Sequence, residues 1–408
     1  MIRSMLSAVS ALRNHQVYMD VVANNIANIN TIGFKSSRVS FQEVMSQTLR
    51  PGSGPQGDRG GMNSMQVGLG MTVGAIDALF TQGGLSATAK STDLAIQGDG
   101  FFVLEENGAR SYSRDGAMDV SLNGFLIHSA TGKKVMGWMV DPATGLVATD
   151  QPAGPLMLSS PRASAQPTTL ANYRGNLDAG AAVGTVVTTN IGVYDSLGNL
   201  HNMSIAFEKT GQNAWSWTMK NELGVVVGGP TAVSFLADGR FDPANAAAVV
   251  SVPLSNGAAT PQPITLDLAN VTQLASQSEV IMYSQDGLAP GSLVGFNVGP
   301  SGEVIGVFSN GMNRTVGQMA MARFVNPGGL LRMGQNLFTE TPNSGAGEVG
   351  APGSNNRGQI VAGYLEMSNV DLGQQFTNMI VAQRGLQANS RVITTSDEML
   401  QEMVNLKR

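Results

Sequence analysis

Apolar residues at the start of the chain recur at alternating spacings of three and four. Ile2, Met5, Val9, Leu12, Gln16, Met19, Ala23, Ile26 and Asn30 hold this period for about four heptads, the pattern of a helix with one seam to cover. Gly33 is the only glycine in the first fifty residues, and it predicts a left-handed helix stop followed by the apolar Phe34. The other end repeats the arrangement. Ser368 and Asp371 form an S-x-x-D capping pattern, after which Leu372, Phe376, Met379, Gln383, Leu386, Ser390, Ile393, Asp397, Leu400 and Val404 keep the same spacing. Each helix is expected to be roughly 45–55 Å long at ~1.5 Å per residue. Pairing the two seams covers both.

The middle of the chain has a different texture. Prolines run from Pro51 to Pro352 and spare both ends. Residues 51–70 are rich in Pro and Gly and predict an irregular connection. Asn-Gly pairs at 107, 123, 256 and 310, and Asp-Gly pairs at 99, 115, 238 and 286, then mark tight turns. Between them lie short β-prone runs at 101–104, 192–194, 205–207, 215–219, 225–227 and 304–308. The predicted fold class is α+β and multi-domain, with N- and C-terminal helices paired as a coiled coil and mainly antiparallel β domains between them.

Composition sharpens this picture. The chain has 408 residues, of which 42% are hydrophobic and 13% charged. That charge fraction is about half the usual share, so much of the surface is uncharged polar or covered by other molecules. The first thirty residues carry three charges, Arg3, Arg13 and Asp20, so the outer face of the first helix also suits contact with other helices. A net charge of −5 without any basic run excludes a phosphate-binding surface for nucleic acid. With no cysteine, disulfides and thiol chemistry are excluded. No apolar run approaches the ~20 residues of a membrane span. The helical period runs unbroken past Arg13 and His15, so no cleavable signal is expected.

The usual catalytic and nucleotide-binding motifs are missing. His15, His128 and His201 are far apart in the chain and predict ordinary packing or surface roles. Gly98-Asp99-Gly100 precedes an apolar run, Phe101-Phe102-Val103, and fits a turn into a strand better than a phosphate loop. No cofactor, metal site or catalytic residue is predicted.

Three segments carry a resemblance. Ala23-Asn24-Asn25-Ile26-Ala27-Asn28, continuing through Gly33-Phe34-Lys35, resembles the signature of the rod and hook family of bacterial flagellar axial proteins. Asp93-Leu94-Ala95-Ile96-Gln97-Gly98-Asp99-Gly100-Phe101-Phe102 resembles a second family motif. Gly363-Tyr364-Leu365-Glu366-Met367-Ser368-Asn369-Val370-Asp371-Leu372, with Asn378 to Arg384, resembles the family's other end. Val193-Tyr194-Asp195-Ser196-Leu197-Gly198-Asn199 is similar to the start of the outer domain of hook-type members. Gln285-Asp286-Gly287, with Pro290 to Leu293 and Phe308 to Gly311, resembles the return into the inner β domain, and 326–338 continues that match.

The resemblance implies four parts. These are a helical core of 1–35 with 364–408, a connecting segment at 36–75, an inner β domain of 76–150 with 286–363, and an inserted outer β domain at 151–285. It also implies a homopolymeric, curved tube that transmits torque outside the cell. The expected partners are a rod protein at the base, a hook cap during assembly, a hook-filament junction protein at the tip, and the flagellar type III export apparatus. Assembly is expected to use Met5, Val9, Leu12, Met19, Ile26, Leu372, Phe376, Met379, Leu386, Ile393, Leu400 and Val404. A distal rod protein is the nearest alternative, and a secreted β-rich enzyme or adhesin the alternative from another class. An independent β domain between about 145 and 285 separates hook from rod.

Overall fold

The computed structural model describes residues 2–406 apart from 56, 59, 142–143, 145, 159–163 and 245–247. The chain divides into two compact units. Unit 1 comprises 1–159, 297–305 and 315–408, and unit 2 comprises 160–296 and 306–314.

Unit 1 begins with helix α1 (Ile2–Ala27) and ends with helix α2 (Leu372–Asn405), which pack against each other. They run antiparallel, because His15 lies against Gly385 while the Asn25 amide reaches Gln375 Oε1 at 3.3 Å. Their 26 and 34 residues correspond to about 39 and 51 Å. Helix α1 is therefore shorter than the expected span and does not stop at Gly33. Asparagine chemistry ends it first. Asn28 Nδ2 bonds the Asn24 carbonyl at 2.9 Å, and the Ile29 N–H turns to the Ile26 carbonyl, tightening the last turn. At the start of α2 the cap is Asp371, whose Oδ1 accepts from the Gln374 N–H at 3.0 Å. Ser368 instead accepts from the Val370 N–H.

Residues 36–75, expected to be an irregular connection, form an arm of paired strands. Strand β1 (Ser37–Glu43) pairs antiparallel with β4 (Met71–Ala78), and β2 (Ser46–Arg50) with β3 (Met65–Gly68). The Gly- and Pro-rich stretch is confined to the far end of the arm. Val39, Phe41, Val73 and Ile76 give the flanking runs the strand propensity that glycine counting obscured.

The rest of unit 1 is antiparallel sheet. Phe101–Glu106 pairs with Ala109–Ser113 across the Asn107-Gly108 turn, where both residues have positive φ, at 51° and 81°. Lys134–Met139 adds to one side, and Leu337–Thr339 with Leu331–Gly334 to the other. Phe101, Val103, Tyr112, Trp138, Phe324 and Phe338 close the core, with several rings meeting edge to face.

Unit 2 is a sandwich of two four-stranded sheets. Val186–Tyr194, Leu200–Gly211, Ala214–Lys220 and Val226–Ser234 form an antiparallel meander. The second sheet orders Ala248–Val252, Gln262–Leu274, Leu170–Asp178 and Glu279–Gln285, and its central pair is parallel. Strict alternation along the strands sends Trp215, Trp217, Phe207, Tyr173, Ile264 and Leu266 into one shared core.

Candidate functional site

The two helices show how the sequence reading maps onto space. None of the twelve residues assigned to assembly is fully buried within the chain. Met5, Val9, Leu12, Met19 and Ile26 are half-buried on α1, as are Met379, Leu386, Ile393 and Leu400 on α2. Leu372, Phe376 and Val404 are exposed.

The least exposed stripe on each helix takes in positions beside the predicted seam, and on α2 it also keeps Met379, Leu386, Ile393 and Leu400 of that seam. On α1 it follows Ala8, His15 and Val22; on α2 it follows Gln375, Ala382, Asn389 and Ser396, at intervals of seven. Ala8, Ala382, Ser396 and the neighbouring Gly385 are small and allow close approach. A Cβ on Gly385 would stand 2.7 Å from the His15 ring. On α2 the signal for these positions is the seven-residue spacing of Gln375, Ala382, Asn389 and Ser396, which a search for large apolar residues passes over.

Helix α1 also packs on the arm. Asn14 Nδ2 bonds the Met71 carbonyl at 2.6 Å, and Tyr18 meets Phe41 edge to face at 5.7 Å. Helix α2 packs chiefly against α1 and leaves Phe376, Ile380, Val381, Met399 and Val404 open to solvent, with Phe376 48% and Val404 69% exposed.

The three motifs behind the resemblance converge at one buried node. Lys35 Nζ is 2.6 Å from Glu366 Oε1, and both side chains are wholly buried. Arg114 Nη1 reaches Glu366 Oε2 at 3.3 Å and its Nη2 donates to the Gly98 carbonyl at 2.9 Å. The Gly83 N–H donates to Glu366 Oε1 at 2.9 Å, and Lys35 also donates to the Thr81 carbonyl at 2.7 Å.

The backbone joins the same node. The Gly33 N–H donates to the Glu366 carbonyl at 2.7 Å, and 94–97 pairs with 359–362. Gly33 needs its positive φ of 67°, and a Cβ there would lie 2.7 Å from the Asp115 nitrogen. Burial pulls the Lys35 ammonium below its usual range, with Glu366 opposing that pull. Burial lowers Arg114 in the same way. Glu366 accepts from three donors and is shut off from water, which suits a role in fixing the fold.

Asparagines of the motif secure the chain around this node. Asn25, 1% exposed, bonds both the N–H and the carbonyl of Ser37, at 2.9 and 2.8 Å, and so pins α1 to the start of the arm. Asn369 takes the Ser36 N–H and gives its amide to the Leu79 carbonyl, both at 2.8 Å. Arg114, Arg332 and Glu366 were not assigned roles from sequence, because pairs 252 to 331 residues apart leave no periodic trace.

In unit 2 the Val193–Asn199 motif is a turn built on the buried Asp195, with Ser196, Leu197 and Asn199 exposed around it. Its carboxylate accepts from Leu197 N at 2.9 Å and Asn199 N at 2.8 Å, and from the side chains of Asn199 and Asn256; it pairs with His201 Nε2 at 3.0 Å. Burial alone pushes this carboxyl up, yet the hydrogen bonds from His201, Asn256 and Asn199 hold it well below the usual carboxylate range. Among the described residues no group of three His, Asp or Glu side chains is arranged to hold a metal ion, and no helix is long and apolar enough to cross a membrane.

Comparison with known proteins agrees with this arrangement. The family described as "Flagella basal body rod protein" matches 5–35, "Flagellar basal body rod FlgEFG protein C-terminal" matches 361–406, and "Flagellar basal body protein FlaE D2 domain" matches 165–288. The chain is 38% identical to the flagellar hook protein FlgE of Borreliella burgdorferi and 37% identical to that of Treponema pallidum, with all of each chain covered. It is 34% identical to the FlgE of Escherichia coli over 98% of this chain and 99% of the relative. On these full-length matches, and with the motif residues joined in one buried node, the chain belongs to the flagellar hook protein family.

Proposed function

We propose that the chain is the structural subunit of a bacterial flagellar hook and has no catalytic role. Copies polymerise head to tail into a curved, flexible tube that transmits motor torque from rod to filament. A repeated heterologous contact that does not close on itself gives such an open helical polymer. The observation that carries this reading is helix α2, which buries two residues within the chain, Ala382 and Ser396, and leaves apolar side chains such as Phe376, Ile380, Val381 and Val404 on an open face. An isolated helix with that face in water is marginal, and neighbouring copies supply the missing cover.

The twelve assigned helix residues contribute to these contacts, led by the exposed Leu372, Phe376 and Val404. Unit 2, a compact sandwich with its own core, favours a hook over a rod subunit. The partners are a rod protein at the base, the cap during growth, the junction protein at the tip and the flagellar export apparatus, which passes the chain outward without signal cleavage.

The test is to extend purified hook fragments with the full chain and with a variant ending at Asp371, and to image both by electron microscopy. Curved tubes from the full chain alone are expected. Straight tubes would shift the assignment to the rod, and no extension at all would overturn the assembly reading.

A further inference from the structure

We propose that Arg332 is a docking point for a carboxylate side chain of a second copy of this chain, an inference that rests on the hook reading. Arg332 lies on Leu331–Gly334 in unit 1, and its Nη2 donates to the Lys35 carbonyl. Its guanidinium stands 5.4 Å from the centre of the Phe34 ring and 6.0 Å from that of Phe338. One hydrogen bond and two rings therefore fix the orientation of the fork.

Beside it opens a cavity of about 210 Å³ lined by Asn28, Phe34, Gln335, Asn336 and Phe338 as well as Arg332 itself. No carboxylate among the described residues lies within ion-pair distance of this guanidinium. The nearby anion is already taken, since Glu366 is shared by Lys35 and Arg114. Burial acts on Arg332 with no opposing charge and lowers its pKa.

Such a cation keeps its remaining donors for a ligand. A planar fork held by stacking loses little freedom when it binds a carboxylate with two parallel hydrogen bonds. The aromatic walls select further. They suit the methylene stem of an Asp or Glu side chain, whereas a phosphate dianion favours several converging cations, and here the other cationic lining residue, Lys35, has its ammonium paired with Glu366. Acidic side chains outnumber basic ones in the chain, 29 to 24. The terminal helices carry exposed carboxylates that make no ion pair among the described residues, Asp20 on α1 and Glu398 and Glu402 on α2.

The experiment compares full-length wild type, R332K and R332Q, each added to purified hook fragments, with the critical concentration for growth as readout. Circular dichroism and melting of each monomer check the fold. R332Q is expected to raise the critical concentration about tenfold, equivalent to ~1.4 kcal/mol per contact, with R332K raising it less. In a second measurement, copolymers of R332K with wild type are treated with a carbodiimide, which condenses the new amine with a touching carboxylate and releases water as the urea by-product. Mass spectrometry is expected to find position 332 joined to an Asp or Glu peptide of another chain, in polymer and not in monomer. That measurement decides the matter even if R332Q folds poorly. Growth of folded R332Q at the wild-type critical concentration, or a crosslink from 332 formed equally in monomer, would overturn the proposal and leave the hook reading intact. Wild type that cannot extend the fragments would overturn both.

Discussion

Strand Gln262–Leu274 in unit 2 and helix α2 in unit 1 both present a regular apolar face, but they meet different fates. The strand buries Gln262, Ile264, Leu266, Leu268, Val271 and Gln273 against its own unit. The helix runs for 34 residues and buries only Ala382 and Ser396. Unit 2 thus covers its apolar face with its own residues, whereas α2 leaves most of its apolar side chains uncovered by the single chain. The same hydrophobic effect acts on both, and only the location of the covering surface differs. A chain built in this way can hold unit 2 by itself and, on the proposed reading, complete its terminal helices on assembly.

Breaking the self-contained side is expected to have the largest effect. Trp217→Ala removes a ring that is 2% exposed at the centre of the sandwich and should lower unit 2 stability by about 3–5 kcal/mol. Urea unfolding followed by the fluorescence of Trp215 in the same core reads it. An unmoved midpoint would mean that the sandwich does not rest on this core.

Glu366→Gln tests the node that ties the terminal segments into unit 1. It leaves Lys35 and Arg114 buried without a counter-charge and should cost about 3 kcal/mol. Hydrogen exchange should accelerate at 33–37 and 359–369 and stay unchanged in unit 2. Equal acceleration in both units would erase the distinction drawn between them.

These two substitutions also mark how far the sequence could be read. The hairpins were legible because Asn107-Gly108 and its relatives force local turns. The helices were legible because their period is local too. Part of the covered stripe was legible, since Met379, Leu386, Ile393 and Leu400 follow the apolar period, whereas Ala382 and Ser396 beside them are too small or too polar to stand out in it. Residues 36–75 were read as irregular because Pro51 and the glycines of 52–61 outweighed the strand-forming residues on either side. Arg114 and Arg332 gave no signal, because their partners lie hundreds of residues away and chain pattern carries no trace of that distance.

Acid provides a smaller, sharper probe of unit 2. The folded-state pKa of Asp195 lies below its unfolded value of about 3.9, so the unfolded chain takes up the proton first. The stabilisation is complete above that value and is lost as pH falls through it toward the folded-state pKa. Hydrogen bonds to a charged group contribute about 1.5–3 kcal/mol, so Asp195→Asn should cost about 2 kcal/mol at pH 7 and flatten the acid limb between pH 4 and 2. A variant with the wild-type acid profile would assign that limb to other carboxylates.

The smallest expected change in the monomer belongs to Phe376→Ser, and it separates the two kinds of region most directly. Phe376 is 48% exposed on α2, so replacing it removes little that the single chain buries. Surface substitutions of this kind usually shift stability by no more than about 0.5 kcal/mol. Melting of the monomer should therefore stay near wild type, while extension of hook fragments falls, because the ring is lost from a face that only another copy covers. A matching loss of melting temperature would mean that the ring already supports the single chain. Unimpaired growth would move the subunit contact to another face of the helix, toward Val392 and Met399. Either result locates the boundary between what the chain holds by itself and what it holds only in company.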